Sequence, residues 1–160
     1  LNAILQHYNY YHSPEKTLTQ KIFQNGFISC DEVEELKEKD MILQVESWIE
    51  KINNYTEIVI YGAGKVAKRL YHILEKHGLD NRIKAFVVTD CACNPCEIYG
   101  IPVIEYTDTL FRQAVYIIGN ANLYEQFNIA NSLMDIGIDE KYIERIGSRL
   151  QHIFRETCWE

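Results

Sequence analysis

The residues Gly62-Ala63-Gly64-Lys65-Val66-Ala67 place two glycines and an alanine at the spacing Gly-x-Gly-x-x-Ala. In a turn leading from a strand into a helix, that spacing suits a diphosphate. The first glycine makes the tight turn, the second lets backbone approach the phosphates, and a small third residue lets helix and strand pack closely. An anion there would meet free backbone N–H groups at a helix start. Lys65 would sit in the first helical turn, where the dipole disfavours its charge by about 0.3–1 kcal/mol. A bound anion offsets that cost, although an exposed lysine also tolerates it, and the glycines would equally serve a turn that binds nothing.

Two further positions extend the same chemistry. Asp90 closes the apolar run Ile83-Lys84-Ala85-Phe86-Val87-Val88, later after the glycine turn than the usual ~20 residues but at the carboxyl end of a strand. Its carboxylate there accepts from ribose hydroxyls and repels a 2′-phosphate, favouring NAD over NADP. An aspartate before a turn also has its own backbone-bonding reason to be present. Gly119-Asn120 closes the run Val115-Tyr116-Ile117-Ile118 and forms a second glycine turn. The candidate binding residues are therefore Gly62, Ala63, Gly64, Lys65, Val66, Asp90, Gly119 and Asn120.

Cys91-x-Cys93-x-x-Cys96 invites a zinc or redox reading. Zinc takes four N/S ligands, and neither a histidine nor a fourth cysteine lies near enough in sequence to complete the set. The Cys-x-x-Cys pair falls in a Pro-containing loop instead of opening a helix that would lower a thiol pKa. Free thiols are expected, and no metal. Tyr61-x-x-x-Lys65 has the spacing of a dehydrogenase Tyr/Lys pair, but those residues need adjacent turns of one helix, and here a strand end and a helix start separate them. No Ser-His-Asp or paired-carboxylate arrangement has supporting context, so no catalytic residue is assigned.

The elements that must position these residues follow from periodicity. Ile58-Val59-Ile60-Tyr61 reads as a buried strand, and Val66, Leu70, Ile73 and Leu74 return at helical spacing until Lys76-His77-Gly78, with cations in the last turn and Gly at the stop. His77 is thus expected at a helix end, not as a catalytic base. Cys91 to Tyr99 reads as turn, Gly100-Ile101-Pro102-Val103-Ile104 as a short strand near an edge, and Thr107-Asp108-Thr109-Leu110 as the start of a brief helix. Leu123, Phe127, Ala130 and Met134 recur at helical spacing until Gly137. A last strand is expected around Tyr142 to Ile146, followed by a short helix or tail after Gly147.

Upstream, residues 1–28 read as helical, with Ser13-Pro14-Glu15 as a start signal and Gly26 as a stop. The cluster His7-Tyr8-Asn9-Tyr10-Tyr11-His12 is read as packing aromatics. Ser29-Cys30-Asp31-Glu32 resembles a capping box that opens a long helix ending near Asn53-Asn54, with a solvated acidic face. The expectation is an N-terminal helical segment over 1–56 and an α/β domain over 57–160. That domain is an open, mainly parallel sheet of about five strands with helices on both faces.

Composition bounds the function. A chain of 160 residues buries roughly 70% of the surface its unfolded form exposes. A net charge of −7 at pH 7 without a basic stripe argues against nucleic acid, which is held by Lys and Arg on phosphates. No apolar run approaches the ~20 residues needed to cross a bilayer, so no membrane insertion is expected. Five cysteines, an odd count, point to reduced thiols in the cytoplasm. The start at Leu1 without a basic-then-apolar leader fits a C-terminal piece of something larger. The partners expected are a nucleotide-type small molecule and either a covalently linked upstream domain or a second copy in a homodimer.

Taken together, Ile60-Tyr61-Gly62-Ala63-Gly64, Phe86-Val87-Val88-Thr89-Asp90, Asn94-Pro95, Ile98-x-Gly100-Ile101-Pro102-Val103 and Ile118-Gly119-Asn120 resemble Rossmann-like domains attached to bacterial glycosyltransferases and FkbM-type methyltransferases. More distantly they resemble the nucleotide-sugar-binding N-terminal domain of PglD-type sugar acetyltransferases. The resemblance covers about residues 57 to 146. It implies an auxiliary domain binding a nucleotide or nucleotide sugar in surface-polysaccharide assembly, and the cofactor expected is NAD or a nucleotide sugar. Gly62, Ala63, Gly64 and Asp90 would line the nucleotide side, and Gly119 and Asn120 the opposite side. The alternatives are a fragment of an NAD-dependent oxidoreductase or epimerase, and a non-catalytic protein-interaction module.

Overall fold

The computed structural model describes residues 30–108 and 111–157. The helix expected over 1–28, the His7–His12 aromatics, the Ser29 cap, and Thr109 and Leu110 lie outside those residues. Two compact units divide at Ser47/Trp48. The boundary falls inside helix α1 (Cys30–Asn53), whose last part carries the buried side chains Trp48 and Ile52.

From Trp48 onward the chain is α/β. The strands are β1 (Ile58–Tyr61), β2 (Ile83–Val88), β3 (Glu97–Ile98), β4 (Ile101–Glu105), β5 (Val115–Ile118) and β6 (Ile143–Arg145), in sheet order β3-β4-β2-β1-β5-β6. All pairings are parallel except β3 with β4. Every residue of β1 and of β5 is buried, which requires a cover on both faces.

Side-chain alternation assigns the two covers. Val59, Tyr61, Val87, Tyr116 and Ile118 pack with Ala130 and Leu133 of α3 (Leu123–Asp135). On the other face, Phe86 meets Tyr71 of α2 (Lys65–Lys76), their ring centroids 6.4 Å apart. Helix α4 (Ser148–Thr157) packs with α2, and its Phe154 meets Trp48 edge-on at 5.2 Å. Right-handed β1-α2-β2 and β5-α3-β6 crossovers run in opposite directions from the sheet centre, so their helices must take opposite faces.

Both crossover helices end alike. Leu79 N–H and Gly78 N–H donate to the carbonyls of Leu74 and Glu75, and Ile138 and Gly137 donate to those of Leu133 and Met134. These are paired Schellman closures with a buried apolar residue just beyond the glycine. A single 3-10 turn then feeds β2 and β6. His77 is the exposed last cap of α2, in the helix-end position its sequence context implies.

The sheet has six strands instead of about five. The additional strand is β3, two residues long, within the stretch expected to be only turn. It folds back on β4 through Tyr99-Gly100, both with positive φ (53° and 76°), the geometry of a two-residue primed hairpin turn. Too short to carry a pattern, it is held by a side chain: Tyr99 stacks on Tyr71 at 4.4 Å, and its hydroxyl lies 2.9 Å from His72 Nε2. Pro102 precedes the β2–β4 ladder, which begins at Val103, so its missing N–H costs that ladder nothing. The expected brief helix at Thr107 is a 3-10 turn over Tyr106–Asp108.

Candidate functional site

The parallel strands taken alone, numbered in chain order, cross the sheet as 3-2-1-4-5, and the order reverses between β1 and β5. In such a sheet the ligand crevice lies at the carboxyl ends of the strands at that reversal. A cleft of about 430 Å3 opens there, within the size range of small-molecule sites.

The two glycine turns meet at its floor. Gly62 N–H donates to Val87 O at 2.7 Å and Gly119 N–H to Tyr61 O at 2.8 Å, continuing the ladders one step past the strands. Gly62 has φ +117°, a region closed to most L side chains, and a Cβ on it would stand 3.1 Å from Gly119 O. A Cβ on Gly119 would stand 2.9 Å from Ala67 Cα. Ala67, the small third position of the glycine pattern, is fully buried at this contact. Gly62 thus makes the tight turn, and Ala67, expected to let helix and strand pack closely, fits against the second glycine turn.

Gly64 differs from both. It is the N-cap of α2, with ordinary extended backbone (φ −84°, ψ −169°) and no side-chain cap, and a Cβ built on it meets no atom of the described residues within 4 Å. The first turn of α2 holds no acidic residue, and Lys65 and Lys68 are exposed there.

Of the eight sequence candidates, Gly62, Asp90, Gly119 and Asn120 line the cleft; Ala63, Gly64, Lys65 and Val66 stand outside its lining. Asp90 is exposed, and its Oδ1 accepts from Ala92 N–H at 2.7 Å while its carbonyl accepts from Asn94 Nδ2 at 2.8 Å. The turn-capping reason for an aspartate here is thus present, in a residue that also faces the cleft. Asn120 Oδ1 accepts from Asn122 N–H at 2.8 Å. Its carbonyl takes Gln126 Nε2 at 2.7 Å and Gln151 Nε2 at 3.3 Å, and both glutamines also reach Ile146 O.

The lining also includes Tyr61, Thr89, Cys93, Asn94, Glu125 and Ile129, which sequence reasoning did not select. Tyr61 OH lies 3.0 Å from Thr89 Oγ1; burial, the largest influence, raises the phenol pKa above its ordinary value, with the Thr89 bond opposing it. Tyr61 and Lys65 are on separate elements, strand and helix, as the dehydrogenase-type pair could not be. Glu125 had a legible signal: it is the third residue of the helix after the second glycine turn, the counterpart of Ala67 in the first. Cys91, Cys93 and Cys96 take part in no disulfide among the described residues, and Cys91 Sγ lies 3.9 Å from Val103 O. Among the described residues no three His, Cys, Asp or Glu side chains gather to hold a metal ion, and no helix is long and apolar enough to cross a membrane.

Fold and cleft together define an α/β protein with a mostly parallel, doubly wound sheet and a crevice at its reversal point. Comparison with protein-family models, with curated proteins and with solved structures finds no match.

Proposed function

We propose that the unit from Trp48 onward is a Rossmann-like domain that binds NAD or a nucleotide sugar across the β1–β5 crevice, with its diphosphate at the start of α2. The observation that carries this reading is Gly64. Nothing among the described residues calls for glycine there: its backbone is ordinary, no described neighbour crowds it, and serine or aspartate would cap α2 better. Open space above an uncapped helix start is what a diphosphate needs. In this reading Asp90, in the cleft lining, accepts from ribose hydroxyls on the β2 side. The resemblance of residues 57 to 146 extends the proposal to an auxiliary role in glycan assembly in a cytoplasmic bacterial enzyme.

Gly64→Ser tests it. The variant should unfold no earlier than the parent, because serine supplies the missing cap, yet lose calorimetric binding of UDP-glucose or NAD. Binding left intact in a folded Gly64→Ser protein, or no binding of either ligand by the parent, overturns the reading.

A second reading, an interaction module, is favoured by the outer face of α3. Leu123, Tyr124 and Phe127 are each more than half exposed there. Self-association seen by sedimentation, abolished by Tyr124→Glu with Phe127→Glu, together with empty ligand screens, would favour it.

A further inference from the structure

The two helix starts at the cleft are built oppositely. Helix α2 begins with an uncapped glycine and has no acid in its first turn. Helix α3 begins with Asn122, whose Oδ1 accepts from Tyr124 N–H at 2.9 Å and Glu125 N–H at 3.4 Å, so two of its first-turn donors are already taken. Glu125 stands three residues after that cap, where a capping-box carboxylate would reach back to the cap's own N–H. That N–H is occupied by Asn120 Oδ1. The Glu125 carboxylate is thereby released from the capping role, and Glu125 lines the cleft. Among the described residues that line the cleft there is neither Lys nor Arg.

We infer that Glu125 is a specificity-determining residue for the part of the ligand beyond the diphosphate: it accepts from the hydroxyls of an uncharged sugar and rejects a distal anionic group. This rests on the nucleotide reading above. With the diphosphate at α2 and the first ribose toward Asp90, the remaining group extends over β5 toward α3, where Asn120, Glu125 and Ile129 form the wall. A carboxylate or phosphate placed there would meet a like charge with no cation in the lining to offset it.

Calorimetry on the full chain with two matched pairs separates the possibilities: UDP-glucose against UDP-glucuronate, and NAD against nicotinic acid adenine dinucleotide. Within a pair the members differ by one distal carboxylate. The parent should prefer the uncharged member by about tenfold, the order of one partly screened charge pair. Glu125→Gln, isosteric at an exposed position, should reduce that preference to within about twofold, chiefly by gaining affinity for the anionic member. A parent that binds either pair without preference, or a variant that keeps it, overturns the assignment of Glu125 and leaves the nucleotide site standing. A parent that binds none of the four overturns the nucleotide reading and this inference with it.

Discussion

Gly119 lies directly against Ala67: a Cβ added to Gly119 would stand 2.9 Å from Ala67 Cα and 3.0 Å from its Cβ. The neighbour is helix backbone, which cannot swing aside as a flexible side chain would. Gly119→Ala should therefore destabilise the fold by about 1–3 kcal/mol, the usual cost of overpacking. The urea midpoint should fall with an unchanged slope, since the extent of the buried surface stays the same.

The carbonyls of Asn120 and Ile146 are each served twice, by Gln126 Nε2 and by Gln151 Nε2. Gln126 Oε1 is itself buried without a partner among the described residues, so Gln126→Leu removes one unsatisfied atom and leaves both carbonyls bonded to Gln151. Each single leucine variant should cost about 1 kcal/mol or less. The double variant strands the buried Ile146 carbonyl and the part-buried Asn120 carbonyl, and should exceed the sum of the singles by about 1–3 kcal/mol. Additive denaturation energies would show that the two amides do not back each other up.

Tyr116 is fully buried in β5, and its hydroxyl has no partner among the described residues. Burial pushes its pKa up to about 12, from the 10.0 of a free phenol. The folded chain then holds this proton to higher pH than the unfolded chain does. Unfolding releases it between pH 10 and 12, so the stabilisation is complete below pH 10 and is lost as pH rises through 12. The loss is of order 2–3 kcal/mol. Tyr116→Phe should be neutral or stabilising at pH 7, because it removes an unpaired buried hydroxyl, and should flatten the alkaline limb of a stability-versus-pH curve. Tyr61 and Tyr71, also raised by burial, leave a residual slope.

Tyr99 holds a left-handed backbone conformation that costs a non-glycine residue about 1–2 kcal/mol. Its stack on Tyr71 ties the β3–β4 hairpin to α2, with the ring planes inclined by 21°. A double-mutant cycle replacing each ring with leucine should return a coupling energy of about 0.5–1.5 kcal/mol. A coupling near zero would mean that the turn stands without the stack.

Much of this architecture is legible along the chain because its causes are local. Apolar runs such as Ile58–Tyr61 and Val115–Ile118 read as buried strands, and Gly78 and Gly137 mark helix ends whose hydrogen bonds span only a few residues. The glycine turns at Gly62 and Gly119, and the crevice that strand order places between them, follow from the same local signals combined with the handedness of crossovers. β3 was hidden because a two-residue strand has no period and Tyr99-Gly100 lacks the usual asparagine-glycine signal; its conformation depends on a ring brought from α2.

By itself, then, the sequence determined the α/β alternation, the ends of the crossover helices and the chemistry available at the two glycine turns. Each of these depends on residues within a turn or two of one another. Only the tertiary structure decided that Gly119 is reserved for Ala67, that Gly64 faces open space, and that Asn120 takes the amide Glu125 would otherwise cap. Those outcomes depend on which groups compete for the same space or the same donor once two helix starts are folded onto one crevice. No local pattern encodes the result of that competition.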